Sequence, residues 1–196
     1  MQINFQAKYI RNEYLPRKGT NDLEKVSIIK FTKLHKNDQK ALDVVAKSWK
    51  KLAGNKNTYA KDICIEFREA ALLKKDEFKR EFYGLTLQQE DFETINPSKI
   101  LGLAEISAMR TSEDFILHIL DYLETHPNNV YNNENREYMN IGKQLFRYID
   151  NRLKGLPTIL FPTKMSEQMY LNNGYKKTPD IDFLVKNCDE FLMLNG

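Results

Sequence analysis

Apolar positions in the first third of the chain change from the period of a strand to the period of a helix. The apolar run at residues 26–34 favours a strand. From Asn37 onward, apolar residues recur with the spacing of one helix face, and that spacing returns from Tyr59 to about Lys74. The pattern therefore predicts a strand followed by two helices.

The middle of the chain predicts a hairpin and then a central strand. Residues 81–90 and 99–108 have the composition of strands, and a turn at Asn96 and Pro97 separates them. Residues 115–125 are apolar at both odd and even positions, which is typical of a strand covered on both faces. We expect this strand to be the most buried one.

The last third of the chain continues the alternation of helices and strands. The Asn-rich residues 128–135 lack periodicity and favour a flexible loop. A helix is predicted to begin after Asn140 as its N-cap and to end at Gly155. The elements predicted after it are a strand at residues 157–162, a short helix at 166–171 and a strand region from Tyr175 to residue 194.

Residues 1–25 have a weaker pattern than the rest of the chain. Ile3, Phe5 and Tyr9 alternate with polar residues, and a polar stretch with Pro16 and Gly19 then favours a loop. We expect an N-terminal extension that packs on or precedes the main domain. Because 196 residues suffice for one good core but are few for two, residues 26–196 are predicted to form one domain.

The composition narrows the class of protein. With 41% hydrophobic and 29% charged residues, the chain is typical of a globular protein, and 30 basic against 27 acidic residues do not by themselves indicate nucleic-acid binding. Cys64 and Cys188 are far apart, so neither a disulfide framework nor a metal site is predicted. No apolar stretch reaches the roughly 18 residues of a membrane span, and we expect a cytoplasmic protein.

One helix start has the chemistry of a phosphate site. Residues 140–143 (Asn-Ile-Gly-Lys) open a predicted helix, where unpaired backbone N–H groups and the helix dipole attract anions. Gly142 has no side chain to block an approaching phosphate, and the chain contains no P-loop motif. Many helices begin this way and bind nothing, so a purely structural role stays open at this point.

Four segments follow one another in an order known from one superfamily. They are residues 123–127 (LETHP), 137–145 (EYMNIGKQL), 159–161 (ILF) and 169–175 (MYLNNGY). The set resembles the GNAT superfamily of N-acetyltransferases, which has Q/R-x-x-G-x-G/A at a helix start and an aromatic residue in a short helix before Gly-Phe or Gly-Tyr. The predicted elements upstream have the same order, so the resemblance covers about residues 26–194.

The resemblance implies an α/β fold with a GNAT-like mixed, mostly antiparallel central sheet flanked by helices. The strands around Leu123 and Ile159 would splay apart to admit the pantetheine arm of acetyl-CoA (acetyl-coenzyme A). The residues implied to hold this cofactor are Leu123, Glu124, Thr125, Glu137, Asn140, Ile141, Gly142, Lys143 and Ser166. The sequence departs from the pattern at Glu137, which replaces Gln or Arg, at Asn140, which replaces Gly, and in a longer loop before Glu137.

The resemblance also implies direct transfer of the acetyl group to a bound neutral amine. Tyr170 lies in the position of the general acid. Asp121 and Glu105 are the candidate general bases, because carboxylates within apolar strands have raised pKa values. His118 and His126 are further alternatives for the base.

The expected acceptor is a primary amine of a small molecule, a peptide or protein, or an aminoacyl adduct, bound by about residues 50–100. The alternative function is a catalytically degenerate GNAT-like module that binds a protein or nucleic acid. Its basic surface would consist of Lys47, Lys50, Lys51, Lys56, Lys74 and Lys75. Acidic residues interleave elsewhere, so neither nucleic acid nor a membrane is expected as a partner, and the protein is expected to be a monomer or homodimer. The sequence does not distinguish an acetyl donor from donors with a longer acyl chain.

Overall fold

The core of the protein is one mixed sheet. In a computed structural model, which describes residues 7–33, 35–54, 58–73, 77–111, 115–130, 132–178 and 183–188, eight strands pair in the order β1-β2-β3-β4-β5-β6-β8-β7. The strands are β1 (Lys8–Pro16), β2 (Leu23–Phe31), β3 (Glu81–Thr86), β4 (Ile100–Arg110), β5 (Ile116–Thr125), β6 (Thr158–Leu160), β7 (Lys176–Lys177) and β8 (Leu184–Lys186). The helices are α1 (Lys36–Ala53), α2 (Ala60–Leu72), α3 (Ile141–Arg152) and the short α4 (Glu167–Leu171).

The sheet is mostly antiparallel. Among the described strands, β5 and β6 form the parallel pair, and the other neighbours run antiparallel. This arrangement confirms the mixed, mostly antiparallel sheet flanked by helices that the sequence predicted. The predicted strand, two helices, hairpin, strand and helix also occur in that order.

The helices cover opposite faces of the sheet. Phe82 of β3 packs in a core cluster with α1 and α2, whereas its neighbour Tyr83 packs in a second cluster with α3. Successive side chains of a strand point to opposite faces, so these two clusters lie on either side of the sheet. In α1, the buried residues Leu42, Val45 and Trp49 recur at helical spacing and explain why this segment forms an amphipathic helix.

The prediction that residues 115–125 form the most buried strand was wrong. β4 is buried along nearly its whole length, whereas most of β5 is only partly buried and Ile116 is exposed. The reason is that β6 pairs with only the first half of β5. Apolar residues on both faces of β5 therefore line an opening as well as the core.

The N-terminal segment is more regular than its sequence pattern indicated. Residues 8–16 form β1, a nine-residue strand that pairs with β2 at the edge of the sheet. Its mostly polar, exposed side chains fit an edge strand, and they hide the alternation that would have predicted it. Ile3 and Phe5 lie outside the described residues, as do residues 191–194 of the predicted last strand.

The described helices contain no candidate for a membrane span. None of them is both long enough and apolar enough to cross a bilayer.

Candidate functional site

The sheet opens between β5 and β6. Their parallel pairing ends at Leu120 and Leu160, but β5 continues to Thr125 while still paired with β4 on its other side. Residues 121–125 therefore present one edge of β5, with its backbone polar groups, to a gap in the middle of the sheet. The predicted separation of the two strands is present, but it begins after Leu120 and Leu160, and Ile159 is still paired with Ile119.

A β-bulge lies where the opening begins. The register between β4 and β5 shifts so that Glu105 faces Tyr122 and Ile106 faces Leu120, which leaves Asp121 as the extra residue of β5. Bulges re-aim side chains and break the regular alternation of a strand. As a result, Leu120 packs on the α3 side, whereas Tyr122 packs on the side of α1 and α2 and Asp121 lies beside the gap.

The gap leads into a cleft of about 1180 Å³. Its walls are the free half of β5, the described residues of the loop at 127–139, the start of α3 and the segment from β6 into α4. The end of α1 and the residues Thr58 and Tyr59 before α2 complete them. The residues proposed from the sequence that line this cleft are Asp121, Leu123, Glu124, Thr125, Asn140, Ile141, Gly142, Lys143, Ser166 and Tyr170. The fold thus brings together residues that are up to 49 positions apart (170 − 121 = 49).

The start of α3 has the geometry of an anion site. Asn140 adopts the left-handed conformation with φ 61° and ψ 20°, and the first helical hydrogen bond runs from Gln144 N to Asn140 O at 2.9 Å. The N–H groups of the intervening residues have no partner within the helix and lie at the cleft wall. A Cβ atom on Gly142 would lie 3.2 Å from Thr125 Oγ1, so glycine lets α3 approach β5 closely.

Tyr170 stands in the cleft as a protonated phenol. Its ring packs edge-on against Phe146 with 5.0 Å between centroids, and the residue is only 5% exposed. Burial raises the pKa of Tyr170 to about 12, although a hydrogen bond with Ser166 opposes that shift. Because the pKa is far above neutrality, the hydroxyl carries its proton and can donate it.

Asp121 has the properties of a base that works near neutral pH. Burial raises the pKa of Asp121 to about 6, and the negative charge of Glu66 adds to this shift. A hydrogen bond from Ser107 and the charge of Arg80 oppose it. At pH 7 the carboxylate is mostly ionised, yet it remains basic enough to accept a proton.

Glu124 directs its carboxylate away from the start of α3. Its Oε1 accepts a 2.5 Å hydrogen bond from Thr58 Oγ1, and Thr58 Oγ1 accepts the backbone N–H of Ala60 at the start of α2 at 3.3 Å. Burial raises the pKa of Glu124, and the hydrogen bond from Thr58 opposes the shift. Any contact between Glu124 and a cofactor on the β5 edge would therefore come from its backbone.

Two sequence-proposed residues do not line the cleft. Glu105 is 2% exposed and lies on β4 opposite Tyr122. Glu137 is exposed, and its Oε1 lies 3.6 Å from the Arg17 guanidinium. Glu105 therefore lies next to the bulge at Asp121 without lining the cleft, whereas Glu137 lies outside the cleft beside Arg17.

The two histidines, His118 and His126, do not line the cleft either. His118 borders a separate cavity of about 190 Å³ near Arg152. His126 accepts a hydrogen bond from Asn128 N at 3.2 Å through Nδ1, and its ring packs against Trp49. Burial lowers the pKa of both imidazoles, so both are neutral at pH 7.

Sequence reasoning missed several residues of the cleft. Tyr59 and Tyr122 face each other across its α2 side with 5.6 Å between ring centroids, and Phe161 and Met165 lie exposed at its other wall. Phe161 was predicted only as part of the strand at residues 157–162, and its place directly after β6 and before Pro162 was the available signal. For Tyr59, the sequence contained no signal of a place in the cleft other than its position at the start of a helix.

Comparisons with known proteins place this fold. No family model and no curated protein matches the chain. Among solved structures, a GNAT-family protein from Desulfovibrio desulfuricans has 13% sequence identity and a TM-score of 0.52, and the match covers 82% of this chain and 96% of that one. An acetyltransferase from Thermus thermophilus has 13% identity and a TM-score of 0.51, with the same coverage of 82% and 96%.

The chain therefore has the fold of GNAT acetyltransferases, as its motifs predicted. Another structure with similarity to it is that of AtaTR bound with AcCoA, at 10% identity and a TM-score of 0.49, covering 87% of this chain and 98% of that one.

Proposed function

We propose that this protein is an N-acetyltransferase that moves an acetyl group from acetyl-CoA to a primary amine while both are bound. The observation that carries the proposal is the opening between β5 and β6, which faces the start of α3 and contains Tyr170. The shared GNAT fold supports the same conclusion.

The cleft residues fit both ends of the donor. The free edge of β5 at residues 121–125 offers backbone groups for the amides of a pantetheine arm. The start of α3, with Gly142 and the exposed cation of Lys143, suits a pyrophosphate. Acetyl-CoA supplies the acetyl group as an activated thioester.

The side chains at the centre of the cleft can move the two protons that the transfer requires. Asp121, directly or through water, takes the proton from the incoming ammonium group, because its raised pKa of about 6 suits a base at neutral pH. Tyr170 protonates the departing thiolate. N–H groups on the free edge of β5 are suited to stabilising negative charge on the acetyl oxygen.

The acceptor amine approaches from the side of α1 and α2. Here the cleft is lined by Leu52, Ala53, Thr58, Tyr59 and Tyr122, within and next to the segment from which the sequence predicted acceptor binding. The aromatic pair and the partly buried Asp121 suit an amine with an apolar neighbouring group. A small molecule, a peptide or protein, and an aminoacyl adduct all meet this description.

Titration calorimetry with acetyl-CoA and with free coenzyme A tests the donor half of the proposal. We expect micromolar binding of both, and release of free thiol when a panel of primary amines is added. A folded protein that binds neither ligand would overturn the proposal. Salt-sensitive binding of RNA or a protein in that case would favour the degenerate binding module.

A further inference from the structure

The turn between β1 and β2 forms a short backbone ladder with the segment that leads into α3. Lys18 N donates to Glu137 O at 2.9 Å, and Met139 N donates to Pro16 O at 2.9 Å. These bonds enclose an antiparallel bridge between Arg17 and Tyr138. The ladder ends one residue before Asn140, where the chain turns into the helix.

The side chain of Arg17 reinforces the ladder. Its guanidinium donates to Glu24 Oε2 at 2.8 Å and lies 3.6 Å from Glu137 Oε1. It also lies over the ring of Tyr138, at 5.6 Å from the centroid. Tyr138 is 5% exposed and belongs to the core cluster that includes Ile141, the first residue of α3. Arg17 thus contacts the segment immediately before the helix through charge and through an aromatic face.

The antiparallel pair β1 and β2 is called the N-terminal hairpin below. Two more contacts join it to the segment around the start of α3. Gln144 Nε2, in the first turn of α3, donates to Tyr14 O at 3.1 Å. The Lys18 ammonium group donates to Glu134 O in the loop before the ladder. The hairpin therefore holds the chain on both sides of Asn140.

We propose that the turn between β1 and β2, at residues 16–18, is part of the donor site, and that Arg17 is a positioning residue for the pyrophosphate-binding turn at Asn140. The proposal rests on the proposed function. A non-glycine residue in the left-handed conformation persists when the surrounding backbone is fixed, and here the hairpin supplies the fixation. Because a site that is ordered before binding loses less entropy when its ligand arrives, releasing the hairpin should weaken binding at this end of the cleft.

The test compares three variants of the full chain. Arg17→Ala removes the ion pairs and the cation over Tyr138, and Arg17→Lys restores a positive charge. Arg11→Ala is the matched control. Arg11 lies on β1, forms an ion pair with Glu13 and lies over the ring of Tyr148, which is two helical turns beyond Asn140. Calorimetry measures the Kd of acetyl-CoA, and ligand-detected NMR measures that of acetyl-pantetheine, which lacks the pyrophosphate.

We expect Arg17→Ala to weaken acetyl-CoA binding about tenfold, with the affinity for acetyl-pantetheine unchanged. Arg17→Lys should recover part of the loss, and Arg11→Ala should bind as the wild type does. Amide hydrogen exchange, measured without ligand, should accelerate at residues 138–144 in Arg17→Ala.

Unchanged acetyl-CoA affinity in Arg17→Ala, or an equal loss for both ligands, would overturn the proposal. If Arg17→Ala does not fold, Glu137→Gln replaces it, since Glu137 is exposed and the substitution removes the weaker ion pair of Arg17 and the charge beside the Tyr138 hydroxyl. That variant should weaken acetyl-CoA binding severalfold and leave acetyl-pantetheine binding intact, and an unchanged affinity for acetyl-CoA would again count against the proposal. A wild-type protein that binds no acetyl-CoA would overturn the proposed function itself, which separates that failure from failure of the hairpin's role.

Discussion

The Thr58 hydroxyl donates a 2.5 Å hydrogen bond to Glu124 Oε1, and this bond joins the start of α2 to the free half of β5. Thr58 Oγ1 also accepts the backbone N–H of Ala60 at 3.3 Å. Tyr59 in turn faces Tyr122 across the acceptor side of the cleft. Glu124 therefore ties the strand that would hold the donor to the helix that would meet the acceptor.

Glu124→Gln should weaken acceptor binding more than donor binding. Glutamine carries no charge, so its hydrogen bond with the Thr58 hydroxyl is weaker than that of the carboxylate, and residues 58–60 gain freedom. We expect a severalfold rise in KM for the amine and less than a twofold change in the Kd of acetyl-CoA. Steady-state kinetics and calorimetry measure the two quantities.

Asp62→Asn is the control for Glu124→Gln, because it neutralises a nearby carboxylate of α2 that does not line the cleft. An equal loss of donor and acceptor affinity in Glu124→Gln would argue against the link described above.

Tyr170→Phe should lower turnover much more than donor affinity. The substitution keeps the ring packed on Phe146 and removes only the hydroxyl that we propose protonates the thiolate. Loss of one general acid lowers kcat by roughly a hundredfold. Thiol release under saturating donor and amine measures kcat, and calorimetry measures the affinity.

Tyr175→Phe is the matched control for Tyr170→Phe. Its ring lies 6.0 Å from that of Tyr170, but its hydroxyl interacts with Asp150 and it does not line the cleft. Full turnover in Tyr170→Phe would remove Tyr170 from the mechanism.

The rate should rise with pH around the pKa of Asp121. A base acts in its ionised form, and burial raises the pKa of Asp121 to about 6, so kcat/KM for the amine should increase through about pH 6. Asp121→Asn should abolish this limb and most of the activity. A limb that persists in Asp121→Asn would assign the base to another residue.

The raised pKa of Asp121 also implies that folding stability depends on pH. The pKa of Asp121 is raised in the folded state from 3.8 to about 6, so folding favours the protonated carboxyl. Its contribution is therefore constant below about pH 4, and the free energy of unfolding falls as the pH rises from about 4 to 6. The full loss is at most about 3 kcal/mol. Asp121→Asn should be more stable than the wild type at pH 7 in urea denaturation, and a less stable variant would contradict the shift.

Lys143 and Arg147 offer a matched pair of cations on α3. Both are exposed, but Lys143 lines the cleft and Arg147 lies one turn further along the helix, outside its lining. We expect Lys143→Ala to weaken acetyl-CoA binding about fivefold in low salt and less in high salt, because a surface charge is screened. Arg147→Ala should leave the affinity unchanged, and equal effects of the two substitutions would show that only the net charge matters.

The strongest local patterns of the sequence were sufficient to predict much of the fold. Apolar periodicity located α1, α2 and α3 to within a few residues, and the ordered motifs around residues 123–127 and 137–145 indicated the GNAT fold. Asn140 was recognisable as the start of a helix and as a residue that tolerates the left-handed conformation, which it adopts.

Relationships between distant segments required the tertiary structure. The separation of β5 from β6 depends on where a parallel pairing ends, and the bulge at Asp121 depends on the register with β4. Neither is encoded in the local alternation of residues 115–125, which explains why the burial of β5 was overestimated.

The sequence by itself determined most of the helices and strands after residue 25 and the residue types at the start of α3, because those properties follow from neighbours along the chain. Only the tertiary structure decided that Glu124 faces Thr58, that Glu137 faces Arg17 and that β1 joins the sheet. The first two contacts join residues 66 and 120 positions apart (124 − 58 = 66; 137 − 17 = 120), and the β1–β2 pairing joins residues up to 22 positions apart (30 − 8 = 22). They form when the chain packs around a common core.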